Sequence, residues 1–431
     1  MGSSIQILVF AGGLFVLLAS GIPVAFAFAV VNIFAAYYLF GSVEALSFVV
    51  QAAFSSVSNI SLTAVPFFLL MGNIFVRSGL SKIVLDAIEI SLFGVRASGS
   101  YVAVGAGSLF GALMGASIAS TAVLGATLVK ELRDRNYSNS LSIGPILGAG
   151  TLSNLIPPSL GAVLIGSLAG ISIGDLLIAG LGPAALIIVS FCVYIFWQSF
   201  RQSYGADNKK RVTLSERGRA IFYLAPLVIP VFSVTGIIYL GIATPTEASA
   251  TGCAATLLVA IFYRRLSWGV FKAALMDTIF ITSMILLIVA SSKAYSQILA
   301  ITGITREINA LMTAIAPSPT FAVVIVILVV LILGCVMDQV SVIFVSVPIF
   351  VSLVQQFGID PIWFGVLFSM AIGIGGISPP FGLNLFVLKG VSPPDIGMRD
   401  IYWIALPYVF IEMIVLVVVL LVPGVATFLI R

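Results

Sequence analysis

Apolar runs of about twenty residues recur along the whole chain, Ile221–Leu240, Thr246–Tyr263 and Ala273–Ala300 among them. Wound as an α-helix, a run of that length crosses the hydrocarbon core of a bilayer. Composition agrees. Of the 431 residues, 60% are hydrophobic and 8% charged, and mean hydropathy is +1.21. A soluble domain carries roughly 25% charged residues, so this chain cannot cover itself with polar groups in water. The runs are continuous rather than alternating, which selects helices over the strands of a transmembrane barrel. The chain reads as an all-α integral membrane protein with on the order of ten to twelve crossings. Ile5–Leu18 reads as the first of them and not as a cleavable signal.

The residue inventory excludes several activities. Histidine is absent, which removes the HExxH metalloprotease motif and any Ser-His-Asp triad. Cys192, Cys253 and Cys335 fall in apolar segments and read as small buried hydrophobes rather than a disulfide framework. The net charge of +4 requires no nucleic-acid partner, because membrane proteins gather Lys and Arg in cytoplasmic loops.

Those basic loops set an expected orientation. Arg201–Arg219 holds six basic and two acidic residues, which places it in the cytoplasm and marks the boundary between two halves. "KELRDR" (Lys130–Arg135) and "YRRLSWGVFK" (Tyr263–Lys272) fall on the same side. Between Arg96 and Lys130 lie 33 residues, too few for two crossings of about 20 and a turn. The middle of that stretch, "GALMGASIAST" (Gly111–Thr121), is small and polar, so a re-entrant hairpin is expected. Pro319–Pro361 reads likewise from the opposite face, with "GCVMDQVSVIF" (Gly334–Phe344) at its tip. In "VEALSFVVQAAFSSVSNI", Glu44, Ser47, Gln51, Ser55 and Ser58 form one polar stripe at helical spacing. That helix is either an interfacial arm or a span with one face in a protein interior.

Two segments interrupt the hydrocarbon in the same way: "GTLSNLIPPSLG" (Gly150–Gly161) and "GGISPPFGLNLF" (Gly375–Phe386). Pro157 and Pro379 differ by 222 positions, as do Pro23 and Pro245, while Gly111 and Gly334 differ by 223. The halves therefore read as an inverted-topology repeat. Each half consists of spans, a connecting segment, a re-entrant hairpin and a discontinuous helix. The lone prolines Pro66, Pro226, Pro230 and Pro407 read as kinks.

A helix broken inside a membrane exposes carbonyl oxygens at one stump and N–H groups with partial positive charge at the other. The first suits Na⁺ and the second a carboxylate, an arrangement used by carriers with inverted repeats. The breaks add Thr151, Ser153, Asn154 and Ser159 on one side, and Ser378 and Asn384 on the other. The tips add Ser117, Ser120 and Thr121, and then Asp338, Gln339 and Ser341. The reading assigns cation contacts to Ser117, Ser120, Thr121, Thr151, Pro157, Gly334, Ser341, Gly375, Gly376, Ser378 and Pro379. It assigns substrate contacts to Ser153, Asn154, Asp338, Gln339 and Asn384. Each assignment has a duller counterpart: hydroxyls bond their own helix carbonyls, and glycines allow close packing. Asp338 stands apart, because an acid at an apolar tip is costly and is a functional hypothesis by default. Glu247 sits near a span end and reaches the interface, and Lys293 and Arg306 lie toward the outer mouth. Neither break nor either tip holds an Arg or Lys. An anion there must be neutralised by helix ends, hydroxyls and bound cations.

"SGIPVAFAF", "PFFLLMGNIFVRSG", "GASIASTAVLG", "AGTLSNLIPPS", "GIATPTEASA", "GIDPIWFGVLF" and "GISPPFGLNLFVLKG" resemble the large membrane subunit of tripartite ATP-independent periplasmic (TRAP) transporters. The resemblance runs from about Gly21 to Pro423. It implies a fixed scaffold, a moving transport domain and elevator motion driven by a sodium gradient across the bacterial inner membrane. It also implies a small four-helix membrane subunit, a soluble periplasmic protein that delivers substrate, and small organic acids as cargo. The family's cation and substrate regions fall on Gly115–Thr121, Gly150–Ser159, Gly334–Ser341 and Gly375–Asn384. The sequence departs from relatives at "MGASIAST", where a run of serines is common, and at "SNLI", where glycine and isoleucines are common. The expected partition is 1–95 scaffold with connecting arm, 96–198 transport elements and the following span, and 199–220 basic loop. It continues with 221–318 scaffold, 319–400 transport elements and 401–431 C-terminal span. The alternatives are a stand-alone sodium–dicarboxylate carrier, a channel, and an intramembrane enzyme, for which no acidic mate to Asp338 is found.

Overall fold

The computed structural model describes residues 12–14, 16–18, 20–40, 46–201, 216, 218, 220 and 222–430. Most of Ile5–Leu18, most of Arg201–Arg219, and Glu44 of the polar stripe lie outside the described residues. Among the described residues every regular element is helical. Seven helices among these residues are long and apolar enough to cross a membrane. Their outward faces carry large apolar side chains, among them Phe262 at 84% exposure and Trp268 at 77%. The same surface in water would be a strong aggregation signal; in lipid it is solvated.

The repeat legible in the prolines extends to whole elements. Val24–Phe40 corresponds to Pro245–Phe262. Leu46–Val57 and Ala64–Arg77 together correspond to one continuous helix, Trp268–Ile301. At 34 residues that helix is about 51 Å long, well beyond one crossing. The first half interrupts the same path at Asn59, whose side chain accepts from Ser61 N at 3.0 Å and caps a short 3₁₀ turn. Gly79 and Gly303, both left-handed at φ 74° and 75°, then turn the chain into the short helices Leu80–Ser91 and Ile304–Ile315. A left-handed turn of this kind favours glycine.

The polar stripe is not turned into the protein. Ser47, Gln51, Ser55 and Ser58 are exposed, while Ala52 and Ser56 are buried as the helix packs along Trp268–Ile301. At 12 residues, about 18 Å, Leu46–Val57 is too short to cross. The reading as a span with a polar face inside the protein is therefore corrected.

The first hairpin comprises Ser98–Met114 and a second leg from Ser117 through a π-turn at Gly125–Val129 to Asp134. The second comprises Pro319–Val336 and Gln339–Gln356. A two-residue turn leaves 18 residues to each leg of the second hairpin, and both legs are long and apolar enough to cross. The tight turn, at Met337 and Asp338, uses fewer residues than a loop would. Both predicted helix breaks are present. Asn139–Thr151 stops and Leu160–Ala169 resumes, and Pro361–Ile377 stops and Leu383–Val391 resumes, with a cis Pro–Pro bond in each gap.

Two interior prolines have a visible consequence. Pro145 and Pro348 lack the N–H that would bond the carbonyl four residues back. Those carbonyls are Leu141 O and Phe344 O. Ser100 Oγ donates to the first at 2.6 Å and Ser292 Oγ to the second at 2.7 Å. Ser100 thereby ties the first hairpin to the first broken helix, and Ser292 ties the long helix to the second hairpin. The C-terminal helix Met398–Leu421 packs on both broken helices. At the foot of the first hairpin, Arg133 grips Asp395 with two nitrogens at 2.9 and 2.6 Å, and this hydrogen bonding holds the Asp395 carboxyl below the usual carboxylate range.

Candidate functional site

Gly115 is left-handed at φ 63° and Ala116 is extended, which reverses the chain at the first tip and starts a new helix at Ser117. A Cβ at Gly115 would lie 2.9 Å from the Leu160 Cβ, so this tip rests on the resumed half of the first broken helix. At the second tip Met337 and Asp338 are extended. The Asp338 carboxylate accepts from Val340 N at 3.0 Å, from Ser341 N at 3.2 Å and from the Ser341 hydroxyl. Asp338 thus caps the returning leg, placing an acid where the helix end is positive.

Each tip packs on the break of its own half through glycine. Gly111 lies against Ser153 and Gly150 against Thr121 Oγ1. Gly334 lies against Gly375, where a Cβ would come within 2.7 Å of the Gly334 Cα. Each tip also meets the opposite half. Asn384 Nδ2 donates to Ser117 Oγ at 2.6 Å, both residues being buried. The Gln339 amide lies over Gly161, where a Cβ would sit 2.4 Å from its Nε2.

All four segments line one cavity of about 80 Å³. Of the residues singled out from sequence, Ser117, Asn154, Gly334, Asp338, Gln339, Gly376 and Asn384 line it. The others stand behind or beside it. Ser120 Oγ donates to Gly107 O at 3.3 Å, Ser153 Oγ to Gly150 O at 2.8 Å, and Ser378 Oγ to Ile374 O at 2.7 Å. Ser159 donates to Asn154 O at 3.1 Å and accepts from Ala162 N, capping the resumed helix. Ser341 is spent on Asp338, while Pro157 and Pro379 open the two cis pairs and Gly375 is pressed against Gly334. Glu247 closes a capping box at a helix start, its Oε2 accepting from Thr244 N and Oγ1, both at 2.8 Å.

Two buried polar atoms here lack a protein partner, Thr121 Oγ1 and Asn154 Nδ2. Buried polar groups are rarely left so. An unpaired oxygen near free carbonyls fits a hard cation, and an unpaired amide N–H in the cavity fits an anionic oxygen. No cluster of three or more His, Cys, Asp or Glu side chains occurs among the described residues. The donor set is neutral oxygen with one carboxylate, hard ligands without the imidazole or thiolate that zinc and copper sites use.

One residue escaped the sequence reading. Glu412, in the middle of the C-terminal helix, is 2% exposed and lies 2.5 Å from Thr151 Oγ1 at the edge of the first break. The signal was an acid inside a span.

Comparison with known proteins identifies the family. The family profile of the tripartite ATP-independent periplasmic transporter, DctM component, matches residues 11–425. The chain is 30% identical over 422 residues to the 2,3-diketo-L-gulonate TRAP transporter large permease protein of Escherichia coli, covering 97% of each. It is 30% identical to the C4-dicarboxylate TRAP transporter large permease protein of Pseudomonas aeruginosa, covering 86% of this chain and 87% of that one. In fold it is similar to the Alcanivorax borkumensis YdaH transporter, with a TM-score of 0.64, 11% identity and 88% of each chain covered. Two hairpin tips and two broken helices meet at one small cavity in a multi-pass helical protein, and the chain carrying them belongs to the DctM family of TRAP transporter large permeases of the inner membrane, which are carriers and not enzymes.

Proposed function

We propose that this chain carries a small organic acid inward, together with Na⁺, after a soluble periplasmic protein has delivered the acid. A small four-helix membrane subunit completes the assembly. The supporting observation is the convergence of both tips and both breaks on one small cavity whose lining includes no Lys or Arg. A carboxylate entering it meets N–H groups at helix starts, the Asn154, Gln339 and Asn384 amides and the Ser117 hydroxyl. It also meets the negative charge of Asp338. Binding an anion beside that carboxylate is unfavourable unless a cation enters too. This is the physical reason for coupling. Ser117, Ser120, Thr121, Thr151 and the Pro157 carbonyl would hold one ion. Gly334, Ser341, Gly375, Gly376, Ser378 and Pro379 would hold a second, through hydroxyls and backbone oxygens. Bound Na⁺ supplies the positive charge that the protein lacks there.

The packing also supports an elevator reading. The hairpins, broken helices and C-terminal helix contact one another extensively. The long helix meets the second hairpin through a neutral hydrogen bond, Ser292 to Phe344. Residues 96–198 and 319–400 would then move against 1–95 and 221–318.

Reconstituted uptake tests the proposal. Proteoliposomes holding this chain and its small membrane subunit receive labelled C4-dicarboxylate with or without the periplasmic protein, under sodium or choline. Accumulation should need both sodium and the periplasmic protein. Full uptake without the soluble protein would identify a stand-alone carrier, and uptake indifferent to sodium would end the coupling argument.

A further inference from the structure

Glu412 lines no part of the cavity, and none of the ion pairs among the described residues includes it. An acid buried in a span without a counterion is costly, so its contact should matter. That contact is the Thr151 hydroxyl, at 2.5 Å, and the same hydroxyl lies 2.6 Å from the Gly148 carbonyl oxygen. Gly148 and Thr151 form the last turn of Asn139–Thr151, just before the chain leaves helical geometry. One turn earlier on the C-terminal helix, Tyr408 lays its ring on Gly144 and Gly148, where a Cβ would come within 2.3 and 2.6 Å of ring carbons. Tyr408 and Glu412 share a helix face at a spacing of four. That face seats on a glycine-lined face of the broken helix, and Glu412 meets it at the stump.

We infer that Glu412 is a positioning residue for the first break: through Thr151 it fixes the turn from which Asn154 enters the cavity. The inference rests on the breaks being the translocation site and adds to that site a residue that never touches the cargo. Ordinary packing could be met by any residue of the right volume. A positioning role needs a hydrogen-bonding group on both sides. Gln at 412 retains one, since its amide can donate to Thr151 Oγ1 while Thr151 donates to Gly148 O. Ala at 412 or Val at 151 does not.

The test is hydrogen–deuterium exchange of the full chain in lipid nanodiscs, read by mass spectrometry on peptides spanning residues 147–160, in sodium chloride or in choline chloride. T151V keeps the side-chain volume and should raise exchange in these peptides roughly tenfold, the scale of one such hydrogen bond. E412A should do the same, E412Q should match the unaltered chain, and peptides across 361–391 should not change. Unaltered exchange in folded T151V overturns the inference, as does E412Q exchanging as fast as E412A. Should E412A fail to insert, T151V and E412Q decide between them. T121V separates the inference from its premise, because it removes an assigned cation contact, the unpaired Thr121 Oγ1, and leaves the hydrogen bond between Thr151 and Glu412 in place. Sodium should slow exchange in the unaltered chain and lose that effect in T121V. A wild-type peptide indifferent to sodium would remove the break as a cation site, and with it the functional meaning of Glu412.

Discussion

Asn384 and Ser117, 267 positions apart, share a buried hydrogen bond of 2.6 Å that joins the second broken helix to the first hairpin tip. Both residues line the cavity, so the bond closes one wall of the site. Replacing Asn384 by Ala removes an amide that can serve the tip and the cargo in turn. The expected result is a rise of roughly tenfold in the substrate concentration for half-maximal uptake, the scale of one buried hydrogen bond. Initial uptake rates at varied substrate measure it. A normal half-saturation would leave Asn384 with a packing role only.

Asp338→Asn separates charge from capping. Asn caps helices about as well as Asp, so the variant should insert and melt like the parent while uptake falls strongly. Asp338→Ala loses the cap as well and should cost about 1 kcal/mol of stability besides. Thermal melting in detergent, alongside uptake, tells the two effects apart. Parental uptake by the Asn variant would remove the Asp338 charge from the mechanism.

Ser153→Ala and Asn154→Ala bear on the cation. Ser153 donates to Gly150 O and Asn154 Nδ2 is unpaired; both are assigned to the acid, whose binding is linked to that of the cation. Both variants should need more sodium for half-maximal uptake. Titrating sodium at fixed substrate is the measurement, and an unmoved curve assigns these side chains to structure alone.

Gly375→Ala tests the seam between the second hairpin and the second broken helix. The added carbon would lie 2.7 to 2.8 Å from Gly334 Cα, Gly334 C and Leu331 O, all backbone atoms that cannot rotate aside. A loss of about 1–3 kcal/mol is expected, as for overpacking elsewhere. Gly390→Ala is the matched control, since nothing lies within 4 Å of its added carbon. Gly390 lies in the last turn of Leu383–Val391, where the change should be neutral or stabilise by less than about 1 kcal/mol. Melting of the two variants side by side decides the point.

Local sequence carried the breaks and the tips, because both are written in residues that cannot do otherwise. A proline pair ends a helix wherever it falls, and Gly115 or Asp338 marks a turn or a cap with no help from tertiary structure. Partnerships between distant elements were not legible. Glu412 was visible as an acid in a span, but its contact with Thr151, 261 positions away, depends on which helices pack together. The polar stripe of Leu46–Val57 left two readings open for a related reason. Periodicity reports that a helix has two faces, not which of them meets protein. The short helices Leu80–Ser91 and Ile304–Ile315 were hidden in stretches read as span or connection, since only the left-handed glycines before them separate them from the preceding helix.

The two contacts between a tip and the opposite half are not copies of each other. In one, the hairpin offers the short Ser117 and the broken helix the long Asn384; in the other, the hairpin offers the long Gln339 and the broken helix offers Gly161, which has no side chain. A strictly duplicated binding chamber would accept a molecule equally well when flipped end over end. Exchanging which element supplies the amide removes that ambiguity, so a chain built by repetition still presents its passenger with a distinct head and tail.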